Sequence, residues 1–126
     1  LGVLELAAEE SNQAAVAEFS RNRDQLVSIS SQKQQYQVQS AMLAKALEEL
    51  EKTSEKKVFK AIGNILILSD VTDVKKELAE QKEKLDLRIK TLQKQEDSTV
   101  QKLNKLKSEI EGASSKASSG ALKSKK

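Results

Sequence analysis

Two long stretches of this chain carry a seam of period seven that is apolar but for one residue in each. On the first the positions are Ala15, Asn22, Ile29, Tyr36, Leu43 and Leu50; on the second they are Val71, Leu78, Leu85, Leu92, Thr99 and Leu106. Read outward from the middle, the two sets mirror each other. Leu50 stands against Val71, Leu43 against Leu78, Tyr36 against Leu85 and Ile29 against Leu92, with polar Asn22 against polar Thr99. A seven-residue apolar repeat marks helices that wrap on one another. Its mirror order within one chain predicts an antiparallel two-helix coiled coil. Such a pair meets along a line and encloses no interior, so function has to reside on surfaces.

Composition agrees. The chain has no proline and 33% charged residues, with only 2% aromatics, which suits long helices and not a thick globular core. It has neither cysteine nor histidine. Disulfides, Cys/His metal centres, thiol nucleophiles and histidine bases are therefore excluded. No glycine-rich phosphate loop and no nucleophile elbow is present. The reading is accordingly of a protein that is not an enzyme, with no catalytic, cofactor or metal residues. Carboxylate pairs such as Glu9-Glu10 and Glu48-Glu49 read as solvated helix faces. No apolar run approaches the roughly 20 residues of a membrane span, and the opening Leu1-Gly2-Val3-Leu4 is too short for a secretory signal core and lacks a basic lead. These features fit a cytoplasmic protein.

Along the chain, residues 1–8 read as an N-terminal tip segment and 9–52 as the first helix. Residues 53–69 form a loop and a hairpin, 70–111 the second helix, and 112–126 a disordered Ser/Lys-rich tail after a stop at Gly112. The net charge of +3 is concentrated in that tail, at Lys116, Lys123, Lys125 and Lys126. A solubilising role and a nucleic-acid or lipid patch both fit it, although no arginine or aromatic residue accompanies it. In the seam, the mirror fold sets Ser40 against Gln81, Lys33 against Arg88 and Leu26 against Gln95. These are weak layers, with Ile89 placed to cover the gap left by two like charges.

Lys57-Val58-Phe59-Lys60-Ala61-Ile62 and Ile65-Leu66-Ile67-Leu68 flank Gly63-Asn64. Glycine at the first turn position predicts a type II′ hairpin pairing Ile62 with Ile65 and Phe59 with Leu68. Both faces of this hairpin are apolar and both edges carry unpaired backbone groups. Two short strands alone are marginal in water. Either the hairpin caps its own coiled coil, or it adds to strands of other chains and closes with them into a barrel. The second reading makes Val58, Phe59, Ala61, Ile62, Ile65, Leu66, Ile67 and Leu68 a subunit interface. Apolar residues also gather at the far ends of the arms: Leu4, Leu6, Val16 and Phe19 on the first, Leu103, Leu106 and Ile110 on the second. They either finish the seam or are presented to partners.

The run Val58-Phe59-Lys60-Ala61-Ile62-Gly63-Asn64-Ile65-Leu66-Ile67 resembles the hairpin of prefoldin β-class subunits. Leu87-Arg88-Ile89-Lys90-Thr91-Leu92-Gln93-Lys94-Gln95-Glu96 resembles the second-arm signature of that class, and Ala46-Leu47-Glu48-Glu49-Leu50-Glu51-Lys52 fits the end of its first arm. The resemblance covers about residues 25–110, and one hairpin instead of two points to the β class. It implies an archaeal-type hexamer of two α and four β subunits whose hairpins join into a platform of β-barrels. It further implies helix ends that hold unfolded polypeptides without ATP and deliver them to a group II chaperonin. The partners implied are a prefoldin α-class subunit, further β copies, client polypeptides and the chaperonin, with no nucleic acid and no membrane. On this reading the hairpin residues build the platform, and the residues at the helix ends meet clients or the chaperonin. A structural coiled-coil tether or scaffold is the alternative, but a tether has no use for an apolar hairpin at its bend. A nucleic-acid arm lacks its basic stripe.

Overall fold

A computed structural model describes the backbone over residues 2–124 and side chains over residues 2–113. Helix α1 spans Gly2–Lys52, strand β1 Lys57–Ile62, strand β2 Ile65–Asp70, and helix α2 Val71–Ser124. The fold is the expected one: two long helices joined by a single antiparallel hairpin. The chain divides into two compact units, one of Ser31–Gln93 and one of Leu1–Ser30 with Lys94–Lys126.

The unit of residues 31–93 contains the bend. α1 ends where the Thr53 amide donates to the Glu49 carbonyl at 3.1 Å, and the Thr53 hydroxyl accepts from the Glu55 amide at 3.2 Å. A side chain that takes over a backbone donor in this way stops a helix from continuing. The strands pair in the predicted register, Ile62 with Ile65 through Phe59 with Leu68, and extend to Lys57 with Asp70. Gly63 has φ +58°, and no other residue type has positive φ among the described residues. Positive φ at the first turn position alone is the type II′ pattern, whose twist matches that of the strands. The Val71 amide donates to the Lys56 carbonyl at 2.9 Å, tying the first residue of α2 to the residue before β1.

In the same unit the helices run antiparallel, as successive cross-helix pairs show. Glu51 meets Lys75 at 3.4 Å, Ser40 donates to Asp86 at 2.6 Å, and Lys33 donates to Gln93 at 3.0 Å. This corrects the mirror register. Ser40 is opposite Asp86, not Gln81, and Lys33 is opposite Gln93, not Arg88. Ser40 thus comes level with Leu85, and Lys33 with Leu92. The second half-seam of α2 consists of the half-buried Lys82, Ile89 and Glu96, while Gln81, Arg88 and Gln95 are exposed. The physical reason is crosswise packing. In an antiparallel pair each half-seam of one helix faces the other half-seam of its partner, so like positions do not meet. The expected clash of Lys33 with Arg88 does not arise, because the Arg88 guanidinium lies over the Tyr36 ring, 5.8 Å from its centre.

In the unit of residues 1–30 with 94–126, Ser30 donates to Glu96 at 2.8 Å. Leu106 and Thr99 are buried there, Ile29 likewise. Asn22 and Thr99 do not satisfy each other. The Asn22 amide donates to the Glu18 carbonyl at 2.8 Å, and the Thr99 hydroxyl to the Gln95 carbonyl at 2.7 Å. Each returns its hydrogen bond to its own helix one turn back.

Both helices exceed their expected bounds. α1 starts at Gly2, because Leu, Glu and Ala are good helix formers and nothing over 2–8 interrupts them. α2 passes Gly112, which stays helical; a single interior glycine costs only about 1 kcal/mol. The expected disordered tail over 112–126 falls, beyond Ala113, on side chains outside those described, and Lys125 and Lys126 lie outside altogether.

Candidate functional site

The hairpin exposes its apolar residues. Phe59 is 69% exposed, Leu66 66%, Ile65 65%, Leu68 54%, Ile62 51% and Ile67 44%. Ala61 is also exposed, and Val58 is half-buried. Side chains alternate between the two faces of the strands. Phe59, Ala61, Leu66 and Leu68 therefore share one face, and Val58, Lys60, Ile62, Ile65 and Ile67 the other. The second face is tied to α2 at one point, where Lys60 forms an ion pair with Glu77. Ile62, Ile65 and Ile67 on that face stay largely exposed beside the pair. Contiguous exposed apolar area of this kind marks an interaction site.

Beside the hairpin lies a groove of about 870 Å³. Met42, Leu43 and Ala46 of α1, Leu85 of α2 and Ala61 of β1 give it an apolar lining, with Gln39, Gln81, Lys84 and Arg88 at its polar margins. Met42 is 67% exposed. The groove was not legible in the sequence, although one signal for it existed. Met42 is an apolar residue off the seven-residue repeat, as are Val27, Val38 and Leu87, which are all exposed.

The residues at the helix ends divide into two classes. Leu4 is 76% exposed, Leu6 59% and Val16 47%, and Val3, which the sequence reading passed over as a contact, reaches 78%. Phe19, Leu103 and Ile110 are half-buried. Leu106 is only 8% exposed and belongs to the seam, so it offers no contact surface. Its position on the seven-residue repeat, continuous with Leu92 and Thr99, is the reason. The same end holds the Asn12 side-chain oxygen, buried without a hydrogen-bond partner.

Among the described residues no helix is long and apolar enough to cross a membrane.

The family model for "Prefoldin subunit" matches residues 13–116. A prefoldin subunit beta of Pyrobaculum arsenaticum is 39% identical over 99 residues, covering 78% of this chain and 80% of the relative. One of Archaeoglobus fulgidus is 43% identical over 86 residues, covering 68% and 74%. Among solved structures, the prefoldin beta subunit from Thermococcus strain KS-1 superposes with a TM-score of 0.77 at 29% identity. It covers 82% of this chain and 91% of that one. With the same helix–hairpin–helix order, a matching family model over most of its length and archaeal β subunits among its relatives, this chain belongs to the prefoldin family, in its β class.

Proposed function

We propose that this chain is the β subunit of a hexameric prefoldin in the cytoplasm, assembled with an α-class subunit and further β copies. The complex holds unfolded polypeptides at the helix ends without ATP and passes them to a group II chaperonin. One observation supports the reading: an apolar two-stranded sheet whose residues are exposed on both faces and whose outer edges have no strand beside them among the described residues. Strand addition from neighbouring chains supplies the missing backbone hydrogen bonds, and closure into a barrel removes the edges. Burial of the exposed apolar residues provides the driving force, at about 25 cal/mol per Å².

The helix ends supply the other half. Val3, Leu4, Leu6 and Val16 are scattered apolar contacts, each weak by itself. Several copies on one platform convert weak contacts into useful retention through effective concentration, and a client still leaves because each contact is weak. The tether reading has no comparable use for either surface.

Mixing the full chain with a prefoldin α-class subunit tests the proposal. The expected result is a hexamer by native mass, which suppresses aggregation of a denatured protein without nucleotide. A chain that stays monomeric and leaves aggregation unchanged would overturn it.

A further inference from the structure

We infer that the groove beside the hairpin binds extended polypeptide segments in which acidic and apolar residues alternate. The inference deepens the chaperone reading above and rests on it, adding a charge-selective client site distinct from the helix ends.

Two parallel rows make the groove selective. Along α2, Lys84 and Arg88 stand one helical turn apart, about 6 Å at 1.5 Å per residue. Along α1, Met42 and Ala46 have the same spacing. An extended chain advances about 3.3 Å per residue and turns alternate side chains to opposite sides. Every second side chain therefore recurs at about 6.6 Å, close to both rows. A segment lying between them sets one series of side chains against the cations and the other against Met42 and Ala46. Leu43 and Leu85 complete the apolar floor.

Charge decides the occupant. Among the described residues, the only charged ones lining the groove are the two cations. Neither is held by a carboxylate among the described residues. The hairpin of a second copy matches them poorly, since its one carboxylate, Asp70, stands at its base opposite Lys57, and its other charge, Lys60, is also a cation. A segment with alternating carboxylates matches them. Met42, unbranched, polarizable and largely exposed, adapts to apolar side chains of different shape.

The test titrates two labelled octapeptides, one alternating Glu with Leu and one alternating Lys with Leu, followed by fluorescence anisotropy. Each is titrated with the full chain alone and with the chain assembled with an α-class subunit. The acidic peptide is expected to bind both forms at least about tenfold more tightly than the basic one, and more weakly as salt is raised. The double substitution Lys84→Glu/Arg88→Glu is expected to reverse that preference at unchanged native mass and helicity. Equal binding of the two peptides, or a preference that survives the double substitution, would overturn the inference. So would acidic-peptide binding that disappears on assembly, or a change of native mass in the double variant, since either makes the groove a subunit contact. A wild-type complex that prefers the acidic peptide but suppresses no aggregation would uphold the groove's selectivity and sink the chaperone reading instead.

Discussion

Asp86 shows how much a single side chain contributes to the pairing of the helices. Its carboxylate accepts hydrogen bonds from Lys82 at 2.8 Å and from the buried Ser40 at 2.6 Å. Those bonds, the one from Lys82 foremost, hold its pKa below the ordinary aspartate value. A carboxyl group with a lower pKa in the folded state stabilises the fold above its unfolded pKa, near 3.9. That contribution is lost as pH falls through the folded value. The side chain is 47% exposed, so solvent screening keeps the effect small. Between pH 6 and pH 3, the urea midpoint of the wild-type chain is expected to fall more than that of Asp86→Asn. Equal falls in the two proteins would remove Asp86 from the account. Gly63 acts at the same scale. It alone supplies the left-handed backbone that the hairpin turn requires, and the glycine–asparagine pair made this legible in the sequence.

At the scale of the element, the hairpin and the helix pair differ in what specifies them. The hairpin's register follows from its turn, a local property, and every strand pair read from the sequence is present. The helices' relative register is not local. The seven-residue repeat identifies which residues of each helix face inward, but a slide of several residues keeps an apolar seam on both. Short polar pairs settle the slide: Ser40 reaches Asp86, Lys33 reaches Gln93 and Ser30 reaches Glu96. The exposed sheet face yields the sharpest expectation for an element. Leu66→Asp places a charge in the middle of an apolar face that assembly would bury, at a cost of several kcal/mol. Native mass should show loss of the proposed hexamer, while the far-ultraviolet circular dichroism stays close to wild type because the helices do not depend on Leu66. A variant that still forms the hexamer would exclude barrel closure through this face.

For the whole molecule, the proposed assembly surface and the proposed client contacts fall in different units of the chain. Hairpin residues lie within Ser31–Gln93, and the exposed Leu4, Leu6 and Val16 within the other unit. The two activities should therefore separate by mutation. Leu4→Ser/Leu6→Ser removes apolar area that is already exposed, so native mass and thermal midpoint should be unchanged. A leucine contact with a client is worth at most about 1.5–3 kcal/mol, so its loss weakens each contact by at most about ten- to a hundredfold. Avidity spreads that loss over several copies, so more complex should be needed to suppress the same aggregation. Unchanged suppression by the double variant would move client binding away from these two residues.

Helix, turn, helix and strand register were all determined by the sequence, since each depends on residues close together in the chain. A period of seven, the absence of proline and a glycine–asparagine turn act within a few residues of where they stand. The helix ends were misjudged by several residues, because neither Ala and Leu at the start nor a lone Gly112 near the end is strong enough to stop a long helix. Only the tertiary structure decided which residues of α1 meet which of α2, and that Met42, Lys84 and Arg88 share one groove. Each of these is set by side chains brought together from distant parts of the chain, and periodicity along one helix carries no information about how far that helix has slid along another.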